Sequence, residues 1–154
     1  MALATLDRFL ADNHIDYRRI MHPRAVTAQE VASAAHIPGH KLAKTVMVKL
    51  DGKLAMVVMH ANQYLDLVNL KRETGATLAE VAAEYEFAEQ FRDCELGAMP
   101  PFGNLYGMDV YADWDLMDDN EIAFNAGTHV ELVRMSFRDY ERLVQPRFAS
   151  LCRH

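Results

Sequence analysis

Apolar residues recur at helical spacing near the start of the chain, where Leu6, Phe9 and Leu10 share a face and Thr5 is placed to cap the first turn. Residues 15–21 predict a strand, which His22-Pro23 breaks, because the residue before a proline and the proline itself fit regular structure poorly. Thr27-Ala-Gln-Glu30 has capping-box spacing, so a helix is predicted from there to about Ala35, with Pro38-Gly39 closing the segment. Two apolar runs, 42–50 and 54–59, flank Asp51-Gly52, the dipeptide that suits a type I′ turn. A two-residue turn there sets Met59 opposite Lys44 and Val57 opposite Val46. Residues 65–73 read as a helix stopped at Gly75. Thr77-Leu-Ala-Glu80 repeats the capping-box spacing and predicts a helix through Val81, Ala82 and Tyr85, followed by another short one over 87–91. Residues 97–107 form a glycine- and proline-rich loop. Short strands are predicted over 108–112, 122–125 and 130–135, and Ser136 caps a last helix carrying Phe137, Tyr140, Leu143 and Val144.

Strands and helices are interspersed, with no repeat, low-complexity tract or linker. This is the pattern of an α+β chain folding as a single domain over residues 1–154. The length allows a core that needs no disulfide or metal. Cys94 and Cys152 stand far apart and outside any Cys-x-x-Cys spacing, which fits a reducing cytoplasm better than a disulfide framework or zinc site. No apolar stretch approaches the length of a membrane span, and residues 1–8 lack a secretory pattern.

Charge changes the picture only when the chain is divided. The net charge of -6 argues against a general nucleic-acid binder. Residues 1–75, however, carry ten Lys and Arg against seven Asp and Glu, while residues 76–154 carry six against fifteen. The basic side chains in the first half include Arg18, Arg19, Arg24, Lys41, Lys44, Lys49 and Lys53. The division permits an anion-binding face on an acidic body, although solvated surface charge explains it as simply.

Three places could carry chemistry. Lys44 shares a strand face with Leu42, Val46, Val48 and Leu50, where an ammonium must be paired, neutralised or led to solvent. An anionic ligand would pair it; a snorkelling stem or a structural ion pair serves equally well. Gly97-Ala-Met-Pro100-Pro101-Phe102-Gly103 combines two fixed φ angles with permissive glycines, giving a stiff loop whose backbone N–H groups could hold a nucleotide or an oxyanion. Pro and Gly also cluster in ordinary turns. Asn125-Ala-Gly127-Thr128-His129 sets a histidine in a glycine turn between strands, suited to a pocket wall or to proton transfer, or simply to structure. His36 and His40 have metal-like spacing, but Pro38-Gly39 between them forbids the helix that spacing needs. The acidic residues of 113–121 lack calcium-loop register, Cys94 has no activating neighbour in sequence, and no nucleophile elbow or Walker loop is present.

Taken in order, His22-Pro23, Thr27, Lys44-Thr45 opening a hairpin, Gly97-Ala-Met-Pro-Pro-Phe-Gly103 and Gly127-Thr-His129 resemble the YbaK/prolyl-tRNA synthetase editing-domain family over about residues 15–145. The resemblance implies a mixed, strongly twisted, barrel-like sheet flanked by helices. It implies a trans-acting deacylase that hydrolyses the ester of tRNA mischarged with a small amino acid, such as Ala, Cys or Ser on tRNA for proline. By the same resemblance Lys44 contacts the tRNA 3′ end. The loop over Gly97, Met99, Pro100, Pro101, Phe102 and Gly103 borders the ester, and His129, with Gly127 and Thr128, edges the amino-acid pocket. Thr45, His22 and Thr27 belong to the same substrate-binding set. No cofactor or metal is implied. The partners are the 3′ acceptor end of a mischarged tRNA and an aminoacyl-tRNA synthetase, unless the chain's own surface selects the tRNA; no membrane is involved.

An aminoacyl ester is already reactive, so a positioned water or substrate hydroxyl and a stabilised oxyanion suffice. Two other readings stay open. One is a non-catalytic tRNA- or nucleotide-binding module of the same fold; the other is a small-molecule hydrolase or binder using the same pocket.

Overall fold

The computed structural model describes residues 4–38 and 41–153. Gly39 and His40, named above, lie outside the described residues, as do positions 1–3 and 154. The opening helix α1 (Ala4–Asp12) buries Leu6 and Leu10. Thr5 lies within its first turn rather than capping it, because the helix already includes Ala4. After β1 (Tyr17–Met21) comes α2 (Ala28–Ala34), which carries the expected capping box. The Thr27 hydroxyl accepts from Glu30 N–H at 3.1 Å, and the Glu30 carboxylate accepts from Thr27 N–H at 3.0 Å.

The hairpin of β2 (Ala43–Leu50) and β3 (Lys53–His60) forms in the predicted register, with Lys44 opposite Met59 and Val46 opposite Val57. Asp51 and Gly52 take φ of 52° and 84°, both in the left-handed region a type I′ turn demands. Both faces of the hairpin are covered. Met47, Met56 and Val58 enter the large core, whereas Val48, Val57 and Met59 pack with Leu70, Leu151 and Cys152. That explains the unbroken apolar run of β3.

Next is α3 (Leu67–Thr74), capped by the Asp66 carboxylate and closed by Gly75 at φ 75°. The helix predicted from Thr77 does not form. Residues Ala79–Val81 are instead a strand, β4, pairing with β2 at Val48↔Val81, Lys49↔Glu80 and Leu50↔Ala79. The Asp51 carboxylate from the hairpin turn accepts from Thr77 N–H at 3.0 Å and Leu78 N–H at 2.8 Å, binding them to the turn. The helix expected over 87–91 begins earlier, as α4 (Glu84–Phe87), and gives way to turns.

The loop from Gly97 ends in a 3-10 turn, Gly103–Tyr106, followed by β5 (Asp109–Asp113) and a second 3-10 turn, Trp114–Asp118. Strands β6 (Glu121–Asn125) and β7 (Glu131–Ser136) precede α5 (Phe137–Val144), which Ser136 caps as predicted. A last strand, β8 (Arg147–Ala149), has no counterpart in the sequence pattern.

The expected barrel-like sheet is not closed; the strands form two sheets. One is antiparallel, in the order β1-β7-β6; the other is mixed, in the order β4-β2-β3-β5-β8, with β3, β5 and β8 parallel. A parallel bridge between Leu42 and Ala123 joins them. β4 covers β2 only at residues 48–50, so the edge of β2 nearer Lys44 faces away from any ladder partner in its own sheet. Between the layers Phe102 is fully buried, its ring 5.4 Å from both Phe124 and Tyr140 and 6.1 Å from Phe9. The Tyr140 hydroxyl donates to the Pro101 carbonyl at 2.7 Å.

Gly103 is buried here. A Cβ on it would lie 2.7 Å from Val110 Cγ2 and 3.2 Å from the Met108 carbonyl oxygen. Gly103→Ala is therefore expected to overpack the turn and lower unfolding stability by about 1–3 kcal/mol, read by urea denaturation. An unchanged midpoint would mean that β5 yields without cost.

Candidate functional site

The two sheets diverge beyond the Leu42–Ala123 bridge, and a cavity of about 170 Å³ opens there. Its walls are Ala43, Lys44 and Thr45 from β2, Asn125 from the end of β6, Gly97 and Met99 from the loop, and Val26 from the residue before the α2 cap. Lys44, Thr45, Gly97 and Met99 of the expected set are thus brought together. Val26, Ala43 and Asn125 were not singled out; Asn125 stood in a quoted motif whose emphasis fell on its histidine.

The loop is held from beneath. The Glu95 carboxylate accepts from His129 N–H at 2.9 Å and from the Arg24 guanidinium at 2.8 Å, while Glu95 N–H donates to the Gly127 carbonyl at 2.8 Å. Gly127 N–H in turn donates to the Ala98 carbonyl at 2.9 Å. The His129 backbone N–H, with Arg24, holds the Glu95 carboxyl below its ordinary range. The His129 ring is buried, and its Nε2 lies 2.9 Å from the Leu96 carbonyl, so Nε2 carries the hydrogen while Nδ1 is buried without a partner. The ring sits directly behind Gly97, where an added Cβ would meet its Cε1 at 3.4 Å. Gly97 also has φ 87°, a conformation that side chains disfavour. His129 therefore supports the cavity floor rather than lining the wall. Gly97 N–H meets only the Met99 thioether, at 3.2 Å, a weak acceptor that a better one can displace.

The other expected residues lie outside the cavity. His22 is buried beside β7; its Nδ1 is 2.8 Å from the Pro23 carbonyl, and its backbone N–H binds Val130. Thr27 is occupied as a helix cap, and the Thr128 hydroxyl accepts from Val130 N–H at 3.4 Å. Pro100, Pro101, Phe102 and Gly103 are buried in the core and carry the loop rather than its mouth.

Lys44 leans out of the cavity. Its ammonium donates to the Gln63 carbonyl and lies 5.4 Å from the centroid of the Tyr64 ring. Partial burial lowers its pKa from the ordinary 10.5. Four other basic residues of the first half are ion-paired: Lys49 with Glu80 and Glu86, Arg19 with Asp7, Arg24 with Glu95 and Lys53 with Asp109. Burial pushes the Cys94 thiol up to about 12, so it is not a thiolate near neutral pH. Among the described residues no group of three or more His, Cys, Asp or Glu could hold a metal ion, and no helix is long and apolar enough to cross a membrane.

The lowered pKa of Lys44 has a stability consequence. The folded chain holds this proton less tightly than the unfolded chain, so the charged lysine costs stability below its folded pKa. Stability is regained as the pH rises from that value through 10.5. Lys44→Met is expected to unfold at higher urea than the parent at pH 7, with the gap narrowing as the pH is raised toward 10.5. A lower midpoint for the variant would show that the Gln63 and Tyr64 contacts outweigh desolvation.

A family model described as the aminoacyl-tRNA editing domain matches residues 22–143. The multifunctional Ser/Thr-tRNA deacylase ProXp-y of Escherichia coli (strain K12) is 28% identical over 149 residues, covering 94% of this chain and 89% of that protein. The proline–tRNA ligase of Bacillus mycoides (strain KBAB4) is 27% identical over 95 residues, 62% of this chain but 17% of the ligase. Among solved structures, one described as a candidate trans-editing enzyme for prolyl tRNA synthetase superposes with a TM-score of 0.83 at 21% identity, covering 97% of this chain and 96% of its own. Hypothetical protein APE2540 superposes at 0.86 with 18% identity, covering 97% and 99%. Both likenesses concern the fold. With the family match spanning most of the chain, the protein belongs to the aminoacyl-tRNA editing domain family and is an aminoacyl-tRNA hydrolase.

Proposed function

We propose that this protein acts in trans on tRNA mischarged with a small amino acid, with Ala, Cys or Ser on tRNA for proline, and Ser or Thr esters more generally, as the substrates to consider. The observation that carries the reading is the cavity. At about 170 Å³ it is smaller than a site for a drug-sized ligand, so it suits an acyl group rather than a whole nucleotide. Its walls include the polar residues Thr45 and Asn125 beside the apolar Val26, Ala43 and Met99, a mixture that suits a short side chain with or without a hydroxyl. The similarity to a relative named as a Ser/Thr-tRNA deacylase supports the hydroxyl-bearing members.

In this reading a water, oriented by the free ribose hydroxyl of the substrate, attacks the ester carbonyl, and its proton passes to the departing ribose oxygen. The developing oxyanion takes the Gly97 N–H in place of the Met99 thioether. The ribose oxygen leaves with a proton, releasing the amino acid and the intact tRNA. Lys44 turns from Gln63 to the phosphate or ribose of the 3′ end, where its charge is paired again. One methylene in such a pocket is worth only about 1–3 kcal/mol, so discrimination between alanine and serine rests on the polar wall rather than on volume. The tRNA is selected by the protein's own surface or by a partner synthetase.

Single-turnover hydrolysis tests this on tRNA for proline charged with Ala, Cys, Ser or Pro, and on cognate alanyl-, seryl- and threonyl-tRNA, with the parent and with Lys44→Ala. Selective loss of one ester, falling by at least about 100-fold in the variant, is expected for a positioned group of this kind. No hydrolysis across the panel, with salt-sensitive tRNA binding retained, would favour the binding module instead.

A further inference from the structure

Tyr64 sits beside the cavity and has no part in the chemistry just described. It is 65% exposed. The backbone beneath it is held on both sides. Leu65 bridges Cys152, Arg153 N–H donates to the Tyr64 carbonyl at 2.9 Å, and Asp66 N–H donates to the Leu151 carbonyl at 2.8 Å. The Gln63 side chain donates to Asp115 at 2.7 Å. The Lys44 ammonium rests 5.4 Å from the ring centroid, and Lys44 is one of the cavity's lining residues, so ring and cavity are neighbours.

A fixed, exposed ring with one cation against it and an arginine in the adjoining segment has the chemistry of a nucleotide platform. Every base offers a π-face to such a ring, and the basic side chains take the phosphates. We propose that Tyr64 is the stacking platform for a base of the unpaired 3′ strand of the tRNA, with Arg153 taking an adjoining phosphate. The identity of the nucleic acid rests on the deacylase reading; the platform rests on the ring.

Binding of uncharged RNA separates the two. Two fluorescein-labelled acceptor-stem hairpins are compared, one with an unpaired 3′ end terminating in CCA and one blunt. Loss of one stacked base should weaken the overhang hairpin by about tenfold in Tyr64→Ala and leave the blunt hairpin unchanged. Tyr64→Phe should retain the parent affinity, and Tyr64→Leu should behave as the alanine variant. Arg153→Gln should lower the slope of log affinity against log salt by about 0.7, one single-strand phosphate contact. Equal overhang binding by Tyr64→Ala and the parent would overturn the proposal, as would equal weakening of both hairpins or failure of Tyr64→Phe. A protein that hydrolyses none of the esters yet shows ring-dependent overhang binding would lose the deacylase reading and keep the platform.

Discussion

The register of one hairpin decides the chemistry of this protein. The Asp51-Gly52 turn sets each residue of β2 opposite a single residue of β3, and the alternation of a strand does the rest. In this register Lys44 faces the smaller core and leans to its rim, while Ala43 and Met47 face the larger one. A slip of one residue would carry the ammonium into the fully buried layer of Met56, Val58 and Phe102, where nothing pairs it. The same turn anchors β4, since Asp51 is acceptor for two N–H groups of the segment ahead of that strand. Because β4 is short, β2 keeps a free edge, and the cavity lies along that edge where the two sheets part.

Rigidity reaches the cavity from below. Glu95 joins three segments through its carboxylate and its backbone, and His129 closes the gap beneath Gly97. The loop mouth is thus braced from behind by side chains that are not among the cavity walls. Core residues of the same loop, Pro101 and Phe102, are tied to α5 through Tyr140. An acyl-transfer site needs donors that are already aimed, and under the proposed function fixing the backbone from behind achieves that without filling the cavity.

Much of this was legible where the physics is local. Asp51-Gly52, the Thr27–Glu30 box, the Ser136 cap and the Gly75 stop involve residues within a few positions of one another, and each formed as read. Thr77-Leu-Ala-Glu80 failed because its N–H groups bind a carboxylate from the earlier turn, a partner no sequence window contains. β8 escaped notice because its three residues are a strand only by virtue of β5. Within the candidate site, Gly97 and Gly103 look equivalent along the chain, yet one borders the cavity and the other is packed against Val110. His129, read as a pocket residue, bonds the Leu96 carbonyl behind Gly97, and Asn125, four positions earlier in the same motif, lines the cavity.

The order of strands carries a consequence for synthesis. The layer beneath α3 is completed by Ala149, at the end of β8, and by Leu151 and Cys152 beyond it, all of which follow the other strands in the chain. Until those residues leave the ribosome, Val57, Met59 and Leu70 lack their cover, and β5 presents a bare parallel edge. The nascent chain therefore passes through a stage in which its hairpin is formed but the smaller core is uncovered, and residues 149–152 act as the latch that ends that exposure.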